Sequence, residues 1–248
     1  MDPSPPSGSI FRARDLLEHA TSMAVLTGAG ISAESGIPTF RDALTGLWEK
    51  FRPEDLATPE AFEANPKLVW DWYAWRRNLV AKARPNAGHR ALVELERKCR
   101  EREVDFTLVT QNVDGLHRTA GSNRVIELHG NIGRVKCFDR HHPVHSWPDG
   151  DEVPTCPRCG SLLRPDVVWF GEGLPPDALA AAVAAARTCD VFLCVGTSTV
   201  VEPAASLPVI AMEAGARVIE VNPQPTPLTL RASVSLRGAA GEILPLLA

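Results

Sequence analysis

The chain has 248 residues, which is enough for one large domain or for one domain with a small insert. Its hydrophobic content of 44% and charged content of 23% are typical of a globular protein. The net charge of −4 and the lack of a long basic run argue against a nucleic acid as partner, and no apolar stretch is long enough to make a membrane an expected partner. Six cysteines are too few for a disulfide scaffold. The Pro/Ser-rich residues 1–9 are expected to form a flexible tail and not a signal peptide, so the predicted location is the cytoplasm.

A helix, a strand and a glycine turn are predicted at the start of the chain. Residues 10–22 fit an amphipathic helix, whose expected inner side carries Phe11, Leu16, Leu17 and Ala20. The apolar residues 23–26 predict a buried strand, and the spacing Gly28-x-Gly30-x-x-Ala33 follows it at once. Glycines let the backbone approach an anion, which the free N–H groups at a helix start stabilise. Such turns also occur for packing alone, and the acidic residue that a Rossmann half carries about 20 residues later is missing. The motif by itself is therefore weak.

Four further apolar runs end in polar or glycine residues: 106–109, 125–128, 191–195 and 218–221. Predicted helices at 177–187 and 203–214 alternate with them, which favours a parallel sheet covered on both faces. Ligands of open α/β sheets bind outside the carboxyl ends of the strands. Five strand ends are therefore expected to converge on one crevice.

Two segments depart from this pattern. Residues 42–85 are rich in Trp and Pro and contain a predicted helix at 66–83, and a charged helix is predicted at 88–102. Residues 134–164 form an insert with too little apolar content to fold unaided. Its possible metal ligands are Cys137, His141, His142, His145, Cys156 and Cys159.

The strand ends carry residues suited to acid–base chemistry. His129 follows the second of the four runs, and a histidine near neutral pKa in a crevice is a natural general base. Asn112 and Asp114 follow the first run. Asn112 could orient a water or a ribose hydroxyl, and Asp114 could accept a hydrogen bond from a ligand amide N–H. Taken singly, His129 is better explained as a hydrogen-bonded histidine at a strand end, and Asn112 and Asp114 have a turn or a cap as their alternative explanation.

The pair Cys156 and Cys159, in a turn that ends at Gly160, is typical of a zinc knuckle. A redox dithiol or two free thiols are the alternatives. Metal is favoured because the insert has too little apolar content to fold without a stabilising cross-link. Cys137 would join them, but Arg140 stands where a second cysteine would be expected. The fourth ligand could be His141, His142, His145 or water, or the site could be empty. Three other cysteines, Cys99, Cys189 and Cys194, lie in apolar patterns and are predicted to be buried and inert.

Tyr73 and Arg76 lie three positions apart on the predicted helix, so their side chains share a face. A phenol and a guanidinium together can bind a carboxylate. A half-buried tyrosine beside a solvated arginine is the commoner explanation of such a pair.

Five segments together resemble the sirtuins, which are NAD-dependent protein lysine deacylases. They are Gly28–Arg41, Thr110–His117, Glu127–Gly130, Gly196–Ser198 and Val221–Asn222. The resemblance covers nearly the whole chain and implies an α/β fold. A Rossmann-like parallel sheet domain would span residues 10–41, 86–133 and 165–248. A smaller domain would combine a helical module, residues 42–85, with a zinc-ribbon insert, residues 134–164.

The resemblance also implies the residues that hold NAD. Ala29 and Gly30 would bind the pyrophosphate, and Asn222 would replace the missing acidic residue at the adenosine half. The full implied set is Gly28, Ala29, Gly30, Ile31, Phe40, Arg41, Gln111, Asn112, Asp114, Gly196, Thr197, Ser198, Asn222 and Ala240.

The implied reaction begins when nicotinamide leaves and the acyl oxygen of an acyl-lysine protein attacks the ribose. His129 then acts as general base on a ribose hydroxyl, with Asn112 as the second catalytic residue. The products are nicotinamide, O-acyl-ADP-ribose and free lysine. Residues 168–172 resemble the strand that pairs with the substrate peptide, through Val168, Phe170 and Gly171. A structural zinc would be held by Cys137, Cys156 and Cys159.

Residues 55–77 resemble the class III branch, which removes succinyl and malonyl groups. Tyr73 and Arg76 would bind the acyl carboxylate, and Ala43 would leave room for it. The alternatives are a plain deacetylase and a protein mono-ADP-ribosyltransferase using the same NAD cleavage. A non-catalytic NAD-binding or zinc-ribbon module is disfavoured by His129 beside Gln111–Asp114, and a dehydrogenase by the missing acidic ribose ligand.

Overall fold

The computed structural model describes residues 7–38, 51–52, 55–148 and 150–248. Within them the strands are β1 Ser22–Thr27, β2 Asp105–Thr110, β3 Val125–Glu127, β4 Gly130–Cys137, β5 Pro143–Val144, β6 Leu163–Val167, β7 Val191–Val195, β8 Arg217–Val221 and β9 Val234–Leu236. The helices are α1 Ser7–His19, α2 Gly30–Ala33, α3 Pro59–Ala64, α4 Pro66–Lys82, α5 Ala87–Glu101, α6 Leu116–Ala120, α7 Pro176–Thr188, α8 Leu207–Glu213 and α9 Ala240–Ile243. None of these described helices combines the length and apolar character that a membrane crossing needs.

A parallel sheet of six strands forms the larger part of the molecule, in the order β3-β2-β1-β7-β8-β9. The five predicted strands occupy five adjacent places, so their carboxyl ends lie side by side as expected. The predicted Rossmann-like α/β fold is confirmed. The sixth strand, β9, was not predicted, because three residues are too few to show a periodic pattern.

Alternation along β1 separates two apolar cores. Met23 and Val25 face the core that includes α1, α5 and α9, whereas Ala24 and Leu26 face the one that includes α7 and α8. A parallel strand buried on both faces reads as a continuous apolar run, which is why β1 and β7 could be recognised from sequence.

Helix α1 corrects the sequence-based prediction in its bounds and in its inner side. It spans Ser7–His19, whereas the predicted helix spans residues 10–22 after a flexible tail of residues 1–9. Its buried stripe is Ala13 and Leu17, continued by Ala20, whereas Phe11 is 69% exposed. Phe11 was placed on the inner side for its hydrophobicity, but it lies off the i, i+4, i+7 stripe that faces the sheet. The predicted helix at 203–214 is also interrupted: a 3₁₀ turn at Ala204–Ser206 precedes α8, and Pro208 lies in the first turn of α8.

A smaller antiparallel sheet, in the order β5-β4-β6, carries Cys137 at the end of β4, and Cys156 and Cys159 lie in the loop between β5 and β6. Gly130 pairs with Val167 and Cys137 pairs with Leu163, so this sheet runs from 130 to 167, whereas the predicted insert spans 134–164. Helices α3 and α4 pack against it through Phe62, Trp72 and Tyr73. The sheet and the helical module therefore share one apolar core.

Candidate active site

The glycine loop after β1 lies backbone to backbone against the loop after β7. The N–H of Gly28 donates to the Val195 carbonyl at 3.0 Å, and that of Gly30 donates to the Gly196 carbonyl at 2.8 Å. A Cβ on Gly28 would lie 2.7 Å from the Thr197 Cβ, and one on Gly196 would lie 2.5 Å from the Ile31 nitrogen. Glycine is required here so that two strand ends can approach closely and place α2 at the crevice.

A polar network joins this loop to the end of β2. Asn112, which is buried, donates through Nδ2 to the Gly28 carbonyl at 3.0 Å and to Ser32 Oγ at 3.1 Å. The Ser32 hydroxyl in turn donates to Asp114 Oδ2 at 2.7 Å. Burial raises the pKa of Asp114, although N–H donation from Leu116 and the Ser32 hydroxyl oppose this. Asn112 and Asp114 are thus held in fixed orientations. Ser32 was not singled out from the sequence, because its partners are 80 and 82 positions away.

His129 is held in one tautomer by the chain itself. Its Nδ1 lies 2.8 Å from the Gln111 carbonyl, which can only accept, so Nδ1 carries the proton and Nε2 is the basic nitrogen. Burial lowers the pKa of His129 below its ordinary value of 6.5, with the Gln111 carbonyl opposing. The imidazole is therefore neutral near pH 7, the state that a general base needs.

The remaining predicted NAD residues lie at the ends of β7, β8 and β9. Thr197 accepts from Gln111 Nε2 at 2.9 Å, and the Thr197 carbonyl accepts from Asn222 Nδ2 at 2.9 Å. Ser198 is exposed, and Ala240 is buried at the start of α9 beside Gly88. The structure brings these residues to the same edge of the sheet as Gly28 and Asn112. Three other predicted residues, Phe40, Arg41 and Ala43, lie outside the described residues.

Tyr73 and Arg76 share a face of α4, as predicted. The guanidinium carbon of Arg76 lies 5.6 Å from the Tyr73 ring centroid and 4.8 Å from that of Trp72. The Tyr73 oxygen accepts a hydrogen bond from Trp169 Nε1 at 2.9 Å, across 96 positions of sequence. Burial lowers the pKa of Arg76, and the nearby Tyr73 and Asp114 oppose this. Arg76 is thus near enough to Asp114 for their charges to interact.

Residues 168–172 form a loop, and the prediction of a strand there is wrong. The N–H of Val168 donates to the His129 carbonyl at 2.9 Å, and that of Phe170 donates to the Ala57 carbonyl at 2.9 Å. Gly171 has a φ of +84°. These bonds to two different segments and the turn at glycine end β6 at Val167. Phe170 is 45% exposed and Gly171 is also exposed, so both lie at the surface.

A buried ion pair shapes this loop and was not found from the sequence. Arg164, with no exposed surface, donates to both carboxylate oxygens of Glu172, at 2.5 and 2.8 Å. The guanidinium carbon of Arg164 lies 3.3 Å from the Trp169 ring centroid. The backbone N–H of Trp169 also donates to Glu172 Oε2 at 2.8 Å. The pair therefore positions the indole that bonds to Tyr73. No sequence pattern marks it, because the residues are ordinary charges eight positions apart.

Three cysteines come together in the small sheet, as predicted. The sulfurs of Cys137, Cys156 and Cys159 all lie within 4.8 Å of one another, with 3.5 Å between Cys137 and Cys159. Tetrahedral zinc with Zn–S bonds of about 2.3 Å places its sulfurs roughly 3.8 Å apart. The cluster therefore fits a structural zinc ion. Cys99, Cys189 and Cys194 are buried elsewhere, and burial raises the pKa of each, which makes them poor nucleophiles.

Comparison with known proteins gives a consistent result. The model of the Sir2 family matches residues 28–203. A protein of Aquifex aeolicus (strain VF5), named NAD-dependent protein deacylase, is 56% identical over 221 residues, covering 88% of this chain and 90% of the relative. A crystal structure of a Sir2 homolog–NAD complex aligns with a TM-score of 0.89 at 50% identity, covering 96% of this chain and 92% of that one. The structure of Sir2Af2 bound to a myristoylated histone peptide aligns with a TM-score of 0.77 at 37% identity, covering 98% and 95%. The family predicted from the sequence motifs is thus confirmed, and the chain belongs to the Sir2 family of enzymes.

Proposed function

We propose that this enzyme is an NAD-dependent protein lysine deacylase that prefers succinyl- and malonyl-lysine to acetyl-lysine. The names of its relatives support the deacylase activity. The observation that carries the acyl preference is the Tyr73–Arg76 pair, in which Trp169 holds the Tyr73 oxygen and the Arg76 guanidinium lies 5.6 Å from the Tyr73 ring. A phenol and a guanidinium on one face are the groups that a terminal carboxylate needs.

NAD would lie across the carboxyl edge of the large sheet. Gly28, Ala29, Gly30 and Ile31 would contact the pyrophosphate and nicotinamide side, and Gly196, Thr197, Ser198 and Asn222 the adenosine side. Support comes from the close approach of the two glycine loops, which brings the start of α2 and the end of β7 together at one edge of the sheet. When bound, NAD supplies an electrophilic ribose carbon once its nicotinamide leaves.

His129 would take a proton from a ribose hydroxyl through Nε2. Its tautomer is fixed by the Gln111 carbonyl, and its neutral state by burial. Asn112, held by Gly28 and Ser32, would orient the same hydroxyl or a water. Asp114 would accept the amide N–H of nicotinamide. The loop at 168–171 would hold the substrate peptide beside His129, since Val168 bonds directly to the carbonyl of His129.

The acyl carboxylate would meet both members of the pair. The Tyr73 oxygen already accepts from Trp169, so its own proton is the one available for donation to a carboxylate. Arg76 stays charged and adds paired donors. A carboxylate taken into this part of the molecule without the guanidinium would be a buried, unpaired charge, which costs several kcal/mol. An acetyl group brings no such charge.

The substitution Arg76→Met tests this assignment. We expect kcat/KM for a succinyl-lysine peptide to fall roughly 30- to 5,000-fold, because one partner of a buried charge pair is lost. This corresponds to a loss of about 2–5 kcal/mol of transition-state stabilisation. Deacetylation should change little. The matched control is Arg77→Met on the same helix, whose guanidinium lies 4.6 Å from the Trp70 ring centroid, and it should affect both peptides equally. Equal losses on both peptides for Arg76→Met would make Arg76 structural and favour a plain deacetylase.

We also propose a cytoplasmic location, supported by the six cysteines, none of which forms a disulfide, as is usual in a reducing compartment. The division into a Rossmann-like domain and a small domain of residues 42–85 and 134–164 is likewise a proposal. It is supported by the two separate sheets.

A further inference from the structure

Two turns of the small sheet share one backbone plan. In the first, the N–H of His141 donates to the Cys137 carbonyl at 3.0 Å, and His141 has a φ of +54°. In the second, the N–H of Gly160 donates to the Cys156 carbonyl at 2.9 Å, and Gly160 has a φ of +77°. Both turns therefore have the same length and end in the left-handed region. In each of them a backbone N–H lies 3.4 Å from the sulfur of the first cysteine.

The turns differ in the ligands that they offer. The fourth residue of the second turn is Cys159, whereas the equivalent residue of the first turn is Arg140. An arginine is always protonated and has no lone pair for a metal. One turn therefore supplies two sulfurs and the other supplies one. Tetrahedral zinc in a closed structural site requires a fourth donor.

His142 follows the first turn directly and is held against the cluster. The N–H of Cys137 donates to the His142 carbonyl at 3.0 Å, which fixes the backbone of His142 beside that cysteine. Its imidazole Nε2 lies 3.0 Å from the Cys156 sulfur. His142 is half-buried, whereas the neighbouring His141 and His145 are exposed.

We propose that this chain holds zinc in a Cys₃His site, with His142 as the fourth ligand in place of a cysteine at position 140. The imidazole contacts one of the three sulfurs but is not within 4.8 Å of all of them, so ligation requires the ring to move toward the cluster. Neutral imidazole Nε2 is a normal zinc ligand, and Cys₃His is an established structural set. This inference concerns the metal site alone and stands whichever acyl group the enzyme prefers.

X-ray absorption of the zinc in the full-length purified protein tests the proposal directly. We expect about one zinc per chain, with three sulfur neighbours and one imidazole nitrogen. In His142→Ala the imidazole contribution should disappear, and zinc affinity should fall by more than the 10–100-fold that loss of an outer-shell partner causes. The control His145→Ala, an exposed histidine three residues away, should leave spectrum and affinity unchanged. The double variant Arg140→Cys with His142→Ala should regain affinity through four sulfurs.

The wild-type X-ray absorption spectrum identifies the fourth zinc ligand even if a variant fails to fold. A zinc site with three sulfurs and no imidazole contribution would overturn the proposal and leave His142 as a hydrogen-bond partner of Cys156. An imidazole contribution that persists in His142→Ala would overturn it as well, because another histidine would then be the ligand. Protein purified without zinc would remove the site altogether.

Discussion

Three histidines near the parallel sheet show how environment decides which one can act as a base. His89 and His117 are fully buried with ring centroids 4.9 Å apart, and burial lowers their pKa values to about 4 and about 3. His117 Nε2 lies 2.9 Å from the Thr27 hydroxyl, and His89 Nδ1 accepts the N–H of Asn86. Both serve packing and capping. His129 is only partly buried, and the bond of its Nδ1 to Gln111 directs Nε2 away from that carbonyl as the basic nitrogen.

Replacing His129 by alanine should lower deacylation by about 10²–10⁴-fold, the usual contribution of a general base. NAD affinity should be retained, because the proposed NAD contacts come from other strand ends. Steady-state kinetics and calorimetric NAD titration measure the two effects, and His19→Ala, an exposed histidine on α1, is the control.

The pH profile of the wild-type enzyme adds a second readout. Because burial lowers the pKa of His129, the neutral base persists to lower pH, so wild-type kcat/KM should stay level near pH 7 and fall only below pH 6.5. Near-normal turnover in the variant would exclude His129 as the base. So would a wild-type pH profile whose acidic decline in kcat/KM is centred above pH 6.5.

At the scale of single residues, the sequence predicted which residues belong to the candidate site but not which hydrogen bonds they make. His129, Asn112 and Asp114 could be chosen because each follows an apolar run in a crevice-forming position. The tautomer of His129 and the orientation of Asn112 depend on partners 18 and 80 positions away, which no local pattern encodes. The Arg164–Glu172 pair and Trp169 could not be chosen for the same reason.

Among the elements, β4 has the strongest influence on the site, because its first residue follows His129 directly. Gly130 has a φ of +77°, and a Cβ there would lie 2.1 Å from the Asp166 carbonyl oxygen. The chain can pass from the large sheet to the small one at this point only with glycine. The carbonyl of His129 is fixed on the other side by Val168.

Gly130→Ala should therefore destabilise the protein by about 1–3 kcal/mol or more, from the left-handed backbone and the clash with β6. Activity should fall with it, because His129 must shift. Urea unfolding and kcat/KM are the measurements, and Gly173→Ala, where a Cβ would meet nothing within 4 Å, is the control. If the two variants proved equally stable, the tight crossing between the sheets would be contradicted.

Long periodic elements were predicted well and short ones were not. The continuous apolar runs of β1 and β7 carry strong local signals, and so does helix α4, with Pro66 at its start. By contrast, β9 and α9 have three and four residues, and tertiary packing alone determines them. The resemblance of segment 168–172 to the peptide-pairing strand predicts a strand there, but its hydrogen bonds go to two different segments.

At the scale of the whole molecule, two sheets of different kinds meet at one point. The parallel sheet brings five loop-bearing strand ends together, and the antiparallel sheet shares an apolar core with α3 and α4 that includes Tyr73 and Trp169. The large sheet could be predicted from the alternation of strands and helices. The crossing from the large sheet to the small one at Gly130 could not, because it depends on contacts with Asp166 and Val168, which are distant in sequence.

One measurement tests the central claim most directly. Wild-type enzyme is incubated with NAD and, in parallel, with succinyl-lysine and acetyl-lysine versions of one peptide, and the products are quantified by mass spectrometry. We expect nicotinamide, O-acyl-ADP-ribose and free-lysine peptide in equal amounts, with a higher kcat/KM for the succinyl peptide. Nicotinamide release that leaves the peptide acylated, with ADP-ribose attached to protein, would contradict the deacylase. A clear preference for the acetyl peptide would contradict the role proposed for Tyr73 and Arg76.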